Sequence, residues 1–256
     1  MLNTVIPAFQ ALMDGLGSLR GTGTNAGGLS NYPLGKDYYA WLINADTGSA
    51  LTPSEIRELV QKRISRDLAE MQVLMGSDSS WSQKYNAFRF KLTDPAEILN
   101  DLKEKISADF PALQTNASYT VKYVSAEMEK YSSPAFFFIP PIDQSVENVI
   151  YLNGSGDSSQ SLYVTLAHEG YPGHLYQTVY SRNSGICHLR SIIRFSGYSE
   201  GWGTYAEMYA YSFNDSADDN TIRLVRDNNE INLLLCGQMD ELIHYEGYSA
   251  DQTYQY

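Results

Sequence analysis

Cysteine and histidine are scarce in this chain of 256 residues, which has two of the first and four of the second. Two cysteines, Cys187 and Cys236, do not make a disulfide framework. They also lack the C-x-x-C spacing of a thiolate zinc site, and they are expected to be buried free thiols, a single bridge being the other arrangement open to them. Basic residues are short as well: 18 Lys and Arg stand against 30 Asp and Glu, a net charge of −12. That balance argues against nucleic acid as a partner, because phosphate binding needs clustered cations. The acidity itself reads as solubility. Long apolar runs are missing, so no transmembrane helix is expected. The N-terminal "MLNTVIPAFQALMDGLGSL" lacks the charged start and continuous apolar run of a signal peptide and reads as an amphipathic helix. The C-terminal "YSADQTYQY" breaks off in a helix just begun. The chain is therefore expected to be a piece of something longer. The compartment stays open between cytoplasm and export by a signal upstream, and the oligomeric state stays open too.

What is present is enough apolar residue, 43%, to bury a sizeable core. The first half reads as helical. "TPSEIRELVQKRISRDLAEMQVLM" opens on Thr52 as N-cap, Pro53 at the first helical position and Glu55 closing a capping box. "DPAEILNDLKEKISADF" repeats the arrangement with Asp94 and Pro95. "GKDYYAWLINADTG" is a shorter helix closed by a glycine turn. From residue 118 the texture changes to alternating β-branched and aromatic residues. "SYTVKYVSAEM", "AFFFIPPID" and "ENVIYLNG" predict a small antiparallel sheet. Helix returns at "GDSSQSLYVTLAHEG", capped by Asp157 or Ser158, and continues through "SEGWGTYAEMYAYSF" and the segment from Asn220. The expected fold is mainly α (α+β): one helical domain over residues 1–256, with a small sheet ahead of the helix that carries the chemistry.

That helix carries "HEGYPGHLYQ". A hydrolytic zinc site needs neutral imidazoles, a carboxylate ligand and a further carboxylate to move a proton. Two of the four histidines, His168 and His174, fall here, six residues apart. Four residues along an α-helix return a side chain to within about 40°, whereas six give roughly 240°, nearly the opposite face. A straight helix would separate these rings. Pro172 removes a backbone donor, biases Tyr171 away from helix, and is followed by the permissive Gly173. A break or bulge of the helix just after Glu169 is the expectation that brings His174 back. Downstream, "YSEGWGTYAEMYAY" places Glu200 and Glu207 seven apart, on one helical face. Carboxylates in so uncharged a stretch need a partner, and a metal is one. The alternative is that Glu200 serves only the positive end of the helix dipole.

These segments carry a resemblance. "HEGYPGHLYQ" is similar to the H-E-x-x-P-G-H signature of the bacterial family DUF885, and "YSEGWGTYAE" resembles its E-G-W-x-x-Y-A-E motif. "YPLGKDYYAWLINADTGSALTPSEI" and the "FFFIPP…NVIYLN" strands resemble further segments of that family. The likeness runs from about residue 30 to the end and corresponds to the C-terminal half of a family protein. The family is in turn similar to the gluzincin metallopeptidases. The resemblance implies a gluzincin-like fold, with His168, His174 and Glu200 holding a zinc ion, Zn2+, and Glu169 as general base. Glu207 would orient a ligand imidazole. An oxyanion stabiliser in related peptidases comes from a C-terminal helix. Tyr248, Tyr254 and His244 stand near this chain's end, and Tyr254 is the one taken. Family members often carry a further histidine where Leu175 stands here, so that position is not expected to be a ligand.

The function these readings imply is zinc-dependent hydrolysis of a peptide or small amide, with water on the zinc activated by Glu169. The alternative is a non-catalytic binding or scaffold domain that keeps the metal site as a structural or vestigial feature. Arg190 and Arg194, four apart ahead of Glu200, are candidates for a substrate carboxylate or for ordinary ion pairing.

Overall fold

A computed structural model describes residues 2–25, 27–115, 117–143, 147–155, 162–187, 189–193 and 195–256. The helices are α1 (Val5–Ser18), α2 (Gly35–Thr47), α3 (Pro53–Ser77), α4 (Trp81–Ala87), α5 (Pro95–Lys105), α6 (Leu162–Glu169), α7 (His174–Asn183), α8 (Leu189–Ile192), α9 (Ser196–Ala210), α10 (Asp219–Glu241) and α11 (Ala250–Gln255). The strands are β1 (Ser118–Tyr123), β2 (Ala135–Phe138) and β3 (Glu147–Leu152). The expected caps form: Thr52 accepts from the Glu55 N–H while Glu55 reaches back, and Asp94 accepts from Ala96 and Glu97. Gly48, at φ +68°, ends α2 as the glycine turn predicts. Asp157 and Ser158, read as caps of α6, lie outside the described residues.

The chain forms two compact units: Met1–Leu42 with Gly237–Tyr256, and Ile43–Cys236. In the first unit the Leu29 N–H donates to His244 Nδ1 at 3.1 Å, and Tyr39 donates to Asp240 at 2.7 Å. The amphipathic α1 has no buried residue; Phe9 and Met13 are each 63% exposed.

The second unit holds the main core. Ile98, Leu99 and Leu102 of α5 pack with Leu166 of α6, Ile150 of β3 and Leu175 of α7, all with no exposed surface. Phe90 stacks on Tyr163 at 4.3 Å, and Tyr163 donates to Asp101. Along α3, the buried Asp67 accepts from Arg63 and Arg66, and Arg63 also reaches Glu230 of α10 at 2.6 Å. A carboxylate so placed is offset by two guanidiniums rather than left unpaired.

Two expectations are corrected. The sheet is mixed, in the order β1-β3-β2: β2 and β3 pair antiparallel, β1 and β3 parallel. The connection from β1 reverses the chain but leaves a strand's width open, and β3 fills that slot. A strand antiparallel to β2 is then necessarily parallel to β1. Alternation within each segment carries no information about this order. The cysteines are free but exposed, not buried. Cys187 lies in the loop after α7, and Cys236 is on an exposed face of α10.

Candidate metal centre

The chain breaks where Pro172 and Gly173 predict. Helix α6 ends at Glu169, and α7 begins at His174 with Gly173 as its N-cap. The outcome is a full break rather than a bulge within one helix. Gly173 packs against the turn it leaves: a Cβ there would stand 1.8 Å from the His168 carbonyl oxygen. No residue with a side chain fits that approach. Trp202 of α9 donates its indole N–H to the Pro172 carbonyl at 2.7 Å, which ties the loop to the third helix.

The break brings the two rings together. His168 and His174 have centroids 4.7 Å apart at 89°. Helix α9 packs beside α6 through small residues, Gly203, Ala206 and Ala210, all buried. Glu200 lies one turn before Gly203 and Glu207 one turn after it, so both carboxylates face α6. The Glu200 carboxylate stands 3.5 Å from His168 Nε2 and 3.5 Å from His174 Nε2. One ligand atom from each of these three residues lies within 4.8 Å of the others, the one such cluster found among the described residues. On the far side of the ring, His168 Nδ1 stands 3.3 Å from Glu207 Oε2.

Glu169 follows the first histidine. Its Oε2 accepts the Phe137 N–H of edge strand β2 at 2.7 Å. Burial pushes its carboxyl above the ordinary carboxylate range, and the nearby Glu200 and Glu207 push the same way. The Phe137 N–H and the His168 ring act against that rise without cancelling it. For His168, burial alone would lower the imidazole, but the Glu207 hydrogen bond and the charges of Glu169, Glu207 and Glu200 outweigh it and the value stands raised. For His174, burial and the neighbouring His168 charge win, and it is lowered despite Glu200. A cleft of about 440 Å³ is lined by Glu169, His174 and Glu200 together with Ala135 and Phe137 of β2 and Gln177 of α7.

The remaining sequence candidates lie on other elements. Tyr254 lies on α11 in the first unit, with 87% of its surface exposed. His244 and Tyr248 belong to the same unit, and the His244 ring stacks on Tyr39. Leu175 points into the core with no exposed surface, which accounts for a leucine beside the second histidine. Arg190 is exposed on α8, while Arg194 lies outside the described residues. Three contributors escaped sequence reasoning. Gly203 carried a usable signal, because its spacing of three and four from the two glutamates puts it on their face. The Phe137 N–H and the indole of Trp202 carried none, since both depend on contacts across the fold.

The sequence profile of the family described as "Bacterial protein of unknown function (DUF885)" matches residues 1–256. No curated protein matches the chain. Among solved structures, one described as a "putative lipoprotein" from Colwellia psychrerythraea is similar at 20% identity and a TM-score of 0.79, covering 99% of this chain and 47% of its own. A second, a "putative lipoprotein of unknown function" from Shewanella oneidensis, is similar at 16% identity and a TM-score of 0.67, covering 95% of this chain and 48% of its own. These likenesses show a shared fold, and the chain spans about half the length of the structures it matches. Among the described residues no helix is long and apolar enough to cross a membrane. With its profile match from first residue to last, the chain belongs to the DUF885 family.

Proposed function

We propose that the chain is a zinc-dependent hydrolase of the peptidase type. The observation that carries this reading is the meeting of His168 Nε2, His174 Nε2 and a Glu200 oxygen, both Glu200 contacts at 3.5 Å. Around a tetrahedral zinc with bonds of about 2.1 Å, neighbouring donors stand about 3.4 Å apart. Both Glu200–histidine contacts match that spacing, the three ligand atoms all lie within 4.8 Å of one another, and their N, N, O donor set suits zinc. Glu207 beside His168 Nδ1 supports the tautomer that leaves the Nε2 lone pair free for a metal.

When bound, a zinc ion supplies Lewis acidity and makes water nucleophilic near neutral pH. The chain's own part is proton transfer and positioning. Glu169 sits within the same cleft, anchored through Oε2 to β2, with its other oxygen left to take a proton. Its raised carboxyl value brings it nearer the range in which a general base works at neutral pH. It accepts a proton as the water oxygen attacks the amide carbonyl, and it passes a proton to the departing amine. Of the two compartments open to the sequence, export is favoured by the lipoprotein descriptions of both similar structures.

The test is Glu169→Gln, which keeps shape and removes the base. Zinc content should stay at the parent value while peptide hydrolysis falls by about 10²–10⁴-fold. Hydrolysis that survives the substitution rules the base assignment out. A zinc-loaded parent that cleaves no member of a diverse peptide library would leave a binding role as the better reading.

A further inference from the structure

The metal cleft does not end at Glu200. A second groove of about 420 Å³ continues from it, and the two share Ile139, Gln177, Thr178 and Ser199 as lining residues. One wall is the remainder of α7, and the other is α8 with the first turn of α9. The electrostatic character changes along the way. The metal cleft is lined by Glu169 and Glu200, whereas the described residues lining the continuation include Arg182 and Arg190 and no acidic one. In a chain of net charge −12, two guanidiniums lining one groove are a local exception.

The two arginines differ. Arg182 is fixed, donating to the carbonyls of Pro140 and Pro141 at 2.8 Å each. The Arg190 side chain is exposed and makes no ion pair or hydrogen bond with any described residue. A fork of donors on a groove wall, beside a second fixed positive charge, is suited to a carboxylate. Around it, Tyr180, Phe195 and Tyr198 expose 42%, 41% and 61% of their surfaces in the same groove. Such a rim suits apolar side chains of an extended chain.

We infer that this groove is a substrate subsite and that Arg190 in it binds a carboxylate of a peptide whose scissile amide lies over His168, His174 and Glu200. The inference rests on the hydrolase reading. Eight residues of α7, about 12 Å along the helix, separate His174 from Arg182, which lines the same groove as Arg190 and marks how far the groove runs from the metal cleft. That span corresponds to roughly three or four residues of extended peptide. The carboxylate therefore belongs to a residue a few positions from the cleaved bond, either a chain end or an acidic side chain.

The test is a binding measurement that does not depend on turnover. Full-chain protein carrying Glu169→Gln is titrated with three fluorescent peptides of one apolar core sequence: free C-terminal carboxylate, C-terminal amide, and the amide with glutamates replacing its last residues. The free acid, the glutamate peptide or both should bind more tightly than the plain amide, and whichever does names the source of the carboxylate. Adding Arg190→Ala should weaken that peptide about two- to fivefold and leave the amide unchanged, the size expected of a charge-assisted bond at an exposed site. Arg190→Lys, which keeps the charge and loses the fork, should fall between. Equal binding of all three peptides, no binding of any, or indifference to Arg190→Ala overturns the inference. Failure of the hydrolase reading shows separately, as absence of cleavage by zinc-loaded parent protein.

Discussion

Gly203→Ala adds one carbon where the site has no room for it. The new Cβ would stand 2.6 Å from His168 Nε2, 2.8 Å from Cε1 and 3.0 Å from Cδ2. Ordinary contact begins near 3.5 Å, so the ring must retreat by about 0.9 Å or α9 must lift away. The ring has little freedom, because Glu207 stands 3.3 Å from its Nδ1 and His174 packs edge-on against it. A donor displaced by nearly 1 Å leaves a coordination shell only about 2.0–2.2 Å in radius, and zinc affinity should fall at least 10–100-fold. Stability should change far less. Overpacking costs about 1–3 kcal/mol, and replacing a mid-helix glycine returns about 1 kcal/mol. The net loss is then about 0–2 kcal/mol, a few degrees in Tm for a unit of this size. Gly201→Ala is the control on the same helix: nothing lies within 4 Å of its Cβ position. It should gain up to about 1 kcal/mol and bind zinc as the parent does. The assay is competition for zinc against a chromophoric chelator, alongside thermal melting. A Gly203→Ala protein with parent zinc affinity would refute the reasoning, because it would mean that the His168 ring does not need its present place.

The other predictions concern the support around the site. Glu207→Gln should weaken zinc binding about tenfold or more with little change in melting, since it removes the carboxylate charge behind the His168 Nδ1–H, and an unchanged affinity would remove Glu207 from the site. Stripping zinc from protein held at 100 times its dissociation constant should cost about 2.7 kcal/mol of stability, visible as a lower Tm that returns on adding zinc. A melting curve indifferent to chelator contradicts a site formed by the folded state. Leu175→Ala, next to a proposed ligand but wholly inside the core, should cost about 2–5 kcal/mol and spare zinc stoichiometry in the fraction that remains folded.

How much of this was legible in the sequence differs by the range of the interactions involved. Caps and glycine turns are local, and Thr52, Asp94 and Gly48 do what their neighbours dictate. The break at Pro172–Gly173 is local too, which is why an unusual histidine spacing could be read as a ligand pair. Glu200 and Glu207 follow from helical period alone. The parallel pairing of β1 with β3 was not legible, because it depends on which strand fills a gap left by another. The exposure of both cysteines was not legible either, since a thiol carries no signal of which face meets the core. The Phe137 N–H on Glu169 depends on a sheet edge meeting a helix end 32 residues away. The subsite around Arg190 was half legible: the arginine was visible as a candidate, but the groove joining it to the metal cleft belongs to the packing of α7 against α8 and α9.

The central claim is that His168, His174 and Glu200 hold one zinc ion. The most direct measurement is crystallography of the zinc-loaded protein at the zinc absorption edge. The account predicts one anomalous peak per chain, about 2.0–2.2 Å from His168 Nε2, His174 Nε2 and a Glu200 oxygen. It also predicts that the peak disappears in His168→Ala. A crystal with zinc in excess and no peak at these atoms, or a peak held by other residues, would contradict it.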